Sequence, residues 1–226
     1  MRSQIIAVNW HRGENGVNRK TLILTAMSLI IIVSLAMGTY VLILLKAAPR
    51  PSWMKVGAYM TYEQFFTWAE QNETELMTWS LTRLQDDLVD LRLVSHGVDV
   101  NEGNVAIVAG EENWTINADS REITNSMDSY YIGYKCPFWI EKDAKIGSGV
   151  DILYGKTTIS KSETIDALGQ RRDCWVVEYD WTTSGMKRWY DKSTGIVLKI
   201  DVIQFKQNIR IETTETAVQT NVNLMP

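Results

Sequence analysis

The hydrophobic pattern of the chain changes character at Lys46. No charged residue lies between Lys20 and Lys46, and the intervening Thr21 to Leu45 reads TLILTAMSLIIIVSLAMGTYVLILL. As a helix rising 1.5 Å per residue it reaches about 37 Å, beyond the ~30 Å hydrocarbon core of a bilayer. The run predicts a transmembrane helix over 21–45. Its weakly polar Thr21, Thr25, Ser28, Ser34 and Thr39 can bond back to helix carbonyls, and Tyr40 sits where an interfacial aromatic is favoured. A cleaved secretory signal is the rival reading, but its apolar core spans about 7–15 residues before a small-x-small site. Lys46-Ala47-Ala48-Pro49 fits that site poorly. A pilin-like leader cut after Gly13 or Gly16 is a further alternative, although neither glycine abuts the apolar run.

Beyond residue 54 the period becomes two, the signature of half-buried strands. Strands are predicted within 56–62, 76–83, 105–108, 114–116, 175–181, 186–190 and 196–205, the last three being richest in β-branched and aromatic residues. Residues 77–94 carry two patterns. Leu81, Leu84, Leu88 and Leu91 form a helical stripe, whereas Val89, Leu91 and Leu93 alternate beside a turn-like Gln85-Asp86-Asp87. The hairpin is the preferred reading. The domain plan is then a basic flank over 1–20, a membrane helix over 21–45, a linker over 46–54 stiffened by Pro49 and Pro51, and a β-rich domain over 55–226. The predicted fold class is mainly β: a transmembrane helix followed by an antiparallel β-sandwich or a curved half-barrel.

Two stretches of the domain resemble each other. Lys55-Val56-Gly57-Ala58 is echoed by Lys145-Ile146-Gly147-Ser148, and Trp114 to Ile123 by Trp189 to Ile196. A duplicated meander over 55–125 and 143–210 is one reading. Ordinary hairpin chemistry is the other. The Val-Gly-x-Tyr opening, Pro137-Phe138-Trp139-Ile140 and Trp189-Tyr190-Asp191-Lys192-Ser193-Thr194-Gly195-Ile196-Val197-Leu198-Lys199, behind an N-terminal anchor, resemble uncharacterised archaeal-type membrane-anchored exported β proteins. The Tyr-Asp-Lys-x-Thr-Gly-x-x-Leu phrase is also similar to the bacterial lipoprotein-carrier family. That resemblance implies a curved antiparallel sheet around an apolar cavity. The chain lacks the lipobox cysteine, and the resemblance implies architecture more than activity.

Charge sharpens this division. Residues 1–50 carry six basic side chains and one acidic, leaving 17 basic and 26 acidic beyond them, a net of −9 against −4 for the whole chain. The basic flank favours a cytoplasmic N-terminus and an extracytoplasmic domain at the cell membrane. An acidic domain repels nucleic acid and anionic headgroups, so no nucleic-acid partner is expected. The 45% hydrophobic content excludes a disordered chain, and 14 Gly and two Cys exclude a collagen or a disulfide scaffold. Cys136 and Cys174 are an even pair, read as a structural disulfide formed after export. Such a bridge contributes about 4 kcal/mol at most. Asn72-Glu73-Thr74 and Asn113-Trp114-Thr115 make Asn72 and Asn113 glycosylation candidates.

Signals for chemistry are sparse. His96, beside Gly97, is the only histidine beyond the anchor, and no nucleophile elbow or Cys-His pattern accompanies it. Asp86, Asp87 and Asp90 read as a solvated turn. Asp99 to Gly110 superficially resembles a calcium loop, but its glycine falls one position early and the closing Glu is absent. No metal, cofactor or catalytic residue is predicted, and the chain is read as not an enzyme. The nine tryptophans read either as core filling between curved layers or as a pocket for an apolar ligand, with core filling preferred and Trp53 placed at the membrane interface. Tyr130, Tyr131, Tyr134, Phe138 and Trp139 are the candidate contact with an apolar ligand or an envelope protein. The leading functional expectation is a noncatalytic binding or interaction module. A lipid or apolar-ligand carrier is the alternative, and an envelope hydrolase a more remote one. A continuous apolar cavity distinguishes the carrier from a module with a packed core.

Overall fold

Alternation at period two runs through most of the domain and builds eleven strands. They are β1 Tyr59–Trp68, β2 Gln71–Gln85, β3 Leu88–Asn101, β4 Asn104–Asn117, β5 Ile123–Ser126, β6 Gly149–Ile152, β7 Gly155–Ala167, β8 Gln170–Trp181, β9 Ser184–Asp191, β10 Val197–Lys206 and β11 Ile209–Thr220. The computed structural model describes residues 50–141, 143–152, 155–181 and 184–224. They belong to one unit, Pro49–Pro226. The predicted span 21–45 lies outside the described residues. Among the described residues no helix is long and apolar enough to cross a membrane.

In β1 the side chains of Met60, Tyr62, Gln64, Phe66 and Trp68 are buried while Glu63 and Phe65 are exposed, so one face of the strand meets the core. Residues 77–94 form a hairpin: β2 and β3 pair antiparallel from Gln85↔Leu88 onward, and Asp86 takes the left-handed conformation, with φ 51°, that a two-residue turn requires.

All strands join one antiparallel sheet in the order β5-β4-β3-β2-β1-β11-β10-β9-β8-β7-β6. The chain starts at the centre, meanders out to β5, crosses to β6 at the other edge, and meanders back until β11 pairs with β1. Of the two expected architectures, a sandwich or a curved half-barrel, the sandwich is not formed, and the strands make one open antiparallel sheet. A sheet with one apolar face needs a second layer, and here the connection between β5 and β6 supplies it: Cys136, Phe138, Trp139 and Ile140 belong to the same buried cluster as residues from β1 to β10. The sheet bends around this strap, because Arg121, in the β4–β5 turn, reaches from Nη2 to the Asp151 carbonyl in β6 at 3.2 Å. A smaller apolar cluster of Phe66, Trp68, Val98, Val100 and Ile211 lies farther along the same face. Between the two clusters runs a polar row, in which Gln64 donates to Glu215 at 2.8 Å and accepts from the His96 backbone N–H at 3.0 Å. Burial pushes the Glu215 carboxyl up.

The two meanders share their irregularities. Gly57 N–H bonds Leu81 O at 2.8 Å and Gly147 N–H bonds Ile159 O at 3.0 Å, with φ 83° and 84°. A bulge after Leu81 in the β2–β3 ladder matches one after Ile159 in the β7–β8 ladder. In the later turns, Asn117 Oδ1 accepts from the Asp119 and Ser120 N–H groups, as Asp191 Oδ1 does from Ser193 and Thr194. Asn117 thus corresponds to Asp191, which sets Trp114 against Arg188 and corrects the match of Trp114 with Trp189 by one residue.

Arg121 and Gly195 occupy the same step of these turns, with φ 61° and 77°. At Gly195 a Cβ would stand 2.3 Å from the Ile140 carbonyl oxygen. Gly195→Ala therefore combines left-handed strain with a clash against strap backbone. It is expected to destabilise the domain by at least ~2 kcal/mol, read as a drop of several degrees in the melting temperature of the full chain.

Candidate functional site

The strap is the one long connection in the described fold, and a buried connection must satisfy its own backbone. It does so on the two equivalent turns. Ile123 N–H donates to Tyr134 O at 2.8 Å and Cys136 N–H to Arg121 O at 2.7 Å; four residues on, Val197 N–H donates to Phe138 O at 2.9 Å and Ile140 N–H to Gly195 O at 2.9 Å. The carbonyls left between these seats are taken by side chains. Arg188 Nη1 and the Tyr190 hydroxyl donate to Pro137 O at 3.1 and 3.0 Å. Arg121 Nη1 donates to Trp139 O at 2.9 Å and to Cys136 O at 3.4 Å, while its Nε pairs with Glu141 at 3.3 Å. Arg121 and Arg188 are 5% and 6% exposed, so two buried guanidiniums act as clamps, Arg121 on three carbonyls and Glu141 and Arg188 on the Pro137 carbonyl and Met186 sulfur.

The aromatic side chains form a continuous series of ring contacts along the strap. It runs Tyr134, Tyr130, Tyr131, Trp114, Phe138, Trp79, Trp53, Trp139, with successive centroids 5.3–6.1 Å apart. The five predicted contact residues therefore share one array but not one environment. Phe138 and Trp139 are buried in the core, whereas Tyr130 is 55% exposed at the start of the strap, flanked in sequence by exposed Met127 and Ile132. The indole N–H groups find acceptors: Trp53 on Thr194 O at 3.1 Å, Trp79 on the Tyr62 hydroxyl at 3.2 Å, and Trp114 on Glu112 at 2.6 Å. Trp53, expected at a membrane interface, is 4% exposed within the domain core together with Met54.

Cys136 and Cys174 are free, buried thiols, so the expected disulfide is not part of this structure. Pro137 and Trp139 are held without a covalent bridge, by Arg121, Arg188 and Tyr190. Burial pushes both thiols up to about 12, and Cys174 Sγ turns toward the Arg172 carbonyl of its own strand at 3.7 Å. Asn72 and Asn113 both lie on exposed strand positions; the Asn72 side chain accepts from Thr67 Oγ1 at 3.0 Å.

His96 lies in β3 rather than a loop, with Nε2 3.8 Å from Glu75 Oε2. Asp90 pairs with Arg83 at 2.7 Å and Asp87 accepts from Asn117 at 2.7 Å, so these acids are structural. Residues 101–104 close the β3–β4 hairpin, with Glu102 and Gly103 at positive φ, and the calcium-like stretch is two strands and their turn. Among the described residues no group of three His, Cys, Asp or Glu side chains is placed to hold a metal. A polar surface cleft of about 610 Å³ is lined by Arg171, Arg172, Asp173, Asp191 and Lys192 among others. On the outer face Glu163 collects Trp189 Nε1 at 2.7 Å, Lys187 at 3.1 Å and Lys161 at 3.0 Å. Burial pushes its carboxyl up, but these three donors together bring it down to about 2.

Sequence reasoning missed Arg121 and Arg188. Arg188 had a legible signal: it falls on the inward positions of β9, between buried Met186 and Tyr190. Arg121 had none, since a charged residue after Asp119-Ser120 reads as an ordinary turn.

No protein-family model matches the chain, and no curated protein matches it. Among solved structures the chain is similar to the hypothetical lipoprotein YmcC from Escherichia coli, at 13% identity and TM-score 0.33, covering 73% of this chain and 89% of that one. It is similar to a DUF1329 family protein from Desulfovibrio piger, at 11% identity and TM-score 0.26, covering 75% and 87%. A domain from Vibrio parahaemolyticus, described as outer membrane lipoprotein-sorting, matches at 14% identity and TM-score 0.29, covering 76% and 86%. These neighbours are bacterial, and the archaeal resemblance finds no counterpart among them.

Two measurements check this chemistry. A thiol reagent at pH 8 is expected to leave the native chain unmodified and to titrate both cysteines once it is unfolded without reductant; a single or zero count after unfolding contradicts the free thiols. Glu163 has a depressed folded-state pKa, so between about 2 and its ordinary 4.5 the unfolded chain binds the extra proton. Its stabilisation is complete above 4.5 and lost as pH falls toward 2. The melting temperature of Glu163→Gln should accordingly fall less steeply over that window than that of the parent chain.

Proposed function

We propose that this chain is a noncatalytic binding module of the cell envelope. Residues 21–45 hold it in the membrane, its N-terminus lies in the cytoplasm, and the β domain faces outward, with Asn72 and Asn113 open to glycosylation. One observation carries the reading. The face of the sheet where a carrier would hold an apolar ligand is filled by the chain's own Phe138, Trp139 and Ile140 against Trp53 and Trp79. At the start of the same strap, Met127, Tyr130 and Ile132 are 75%, 55% and 47% exposed. Tyr130, held by ring contacts to Tyr131 and Tyr134, suits a protein contact because little of its conformational freedom remains to be lost on binding, and Met127 beside it adds an adaptable apolar surface. The partner is an envelope protein with a complementary apolar patch.

A photo-crosslinking residue at Tyr130 in intact cells is expected to give one adduct of defined mass, absent when the same residue replaces exposed Leu76. A membrane-impermeant maleimide should label Asn72→Cys from outside. Stoichiometric uptake of a fluorescent apolar probe by the purified chain, with no adduct at Tyr130, would favour the carrier instead.

A further inference from the structure

The sheet ends in two bare edges of opposite character. β5 pairs only with Trp114 to Ile116 of β4, so Asn104 to Asn113 have β3 on one side and no backbone partner on the other among the described residues. At the far edge β6 covers only Gly155 to Thr158 of β7. The bare part of β7 carries Lys161, Glu163 and Asp166, and Lys161 is ion-paired to Glu163 and Glu178. Charged edges of this kind oppose strand addition. The middle of the bare part of β4 has no such protection: Val105-Ala106-Ile107-Val108-Ala109-Gly110 contains no charge and no proline, its β-branched Val105, Ile107 and Val108 favour a strand, and the acids of this stretch, Glu111 and Glu112, stand at its far end. Its register is fixed from inside, since Val105 and Ile107 pack on the Phe66, Trp68 and Ile211 cluster, which leaves Val108 47% exposed.

We propose that β4 is a homodimer edge, pairing antiparallel with β4 of a second copy about a two-fold axis at Val108. The segment is complementary to itself in that register. Val108 faces Val108, Ala106 faces Gly110, Ile107 faces Ala109, Val105 faces Glu111 and Asn104 faces Glu112 of the second copy. No charge stands opposite a like charge, and Glu111 is already held by Arg92 at 2.8 and 2.9 Å within its own chain. A two-fold interface needs only this one surface, used twice. A foreign strand would find the same free backbone groups, but the uncharged, self-matching register selects a copy of the chain. The contact is centred on Val108, and its far end at Glu112 and Asn113 reaches Trp114 and Met127 of the aromatic surface.

The test uses the full chain in detergent micelles. Both native thiols are buried, so Val108→Cys introduces the reactive one. Mild oxidation is expected to convert Val108→Cys to a covalent dimer of twice 25.8 kDa, while Ser162→Cys on the charged edge and the parent chain stay monomeric on a denaturing gel. Light scattering should give a dimer for the parent chain and a monomer for Val108→Lys, with the near-ultraviolet tryptophan signal unchanged to show that the domain is intact. A monomeric parent chain, a dimer that survives Val108→Lys, or equal cross-linking at Ser162 overturns the proposal.

Discussion

Everything in this domain depends on the strap having its carbonyls satisfied inside the protein. An open sheet with one apolar face is unstable in water until something covers that face, and irregular backbone is a costly cover because each buried, unpaired carbonyl costs about 1–3 kcal/mol. Five of the six carbonyls from Tyr134 to Trp139 are met by two backbone amides, two guanidiniums and a tyrosine hydroxyl. Arginine suits this role better than lysine, since a planar fork of five donors can serve several acceptors at once. The desolvation of Arg121 and Arg188 is offset only while the strap is seated, so strap and clamps stand or fall together.

The matched turns explain how one segment can be held twice. Tyr134 and Cys136 bond to Ile123 and Arg121 as Phe138 and Ile140 bond to Val197 and Gly195. The two seats share a backbone conformation but not a side chain. At Gly195 the Ile140 carbonyl occupies the space of a Cβ, which only glycine allows. At Arg121 the same backbone step sends a long side chain across to β6 and Trp139. The sequence difference between the two meanders lies where an asymmetric strap must meet two similar seats.

Much of the strand pattern was legible because period-two alternation reports directly which face of a strand is buried. The hairpin at Asp86 and the turns at Asn117 and Asp191 were legible for the same local reason. What covers the buried face is not a local property. Two-sheet and one-sheet architectures place the same demand on β1 or β10, so the single sheet could not be told from a sandwich. Pro137-Phe138-Trp139-Ile140 was noticed as a phrase, but its place across the sheet depends on residues from both meanders. The cysteine expectation rests on number, two thiols making an even pair, whereas in this structure both are free and buried. Trp53 lies so close in sequence to the predicted span 21–45 that its burial on Thr194 could not be anticipated.

The packing also bears on what the concave face can accept. An apolar ligand entering it would displace Phe138, Trp139 and Ile140, whose burial contributes about 1.5–3 kcal/mol each. It would further take from Arg121 and Arg188 their strap carbonyls, leaving Arg121 only one carbonyl, that of Asp151, and Arg188 no oxygen acceptor from the strap. A lipid chain returns the apolar contacts but offers no acceptors to guanidinium groups, so the exchange is unfavourable by the polar part alone. Nor does the smaller cluster offer an empty site, because Gln64 and Glu215 lie across the face between the two cores and Phe66, Trp68 and Ile211 are closed by Val98 and Val100. The proposed binding therefore falls at the rim, where Tyr130 of the aromatic array reaches solvent and the β4 edge has no backbone partner among the described residues.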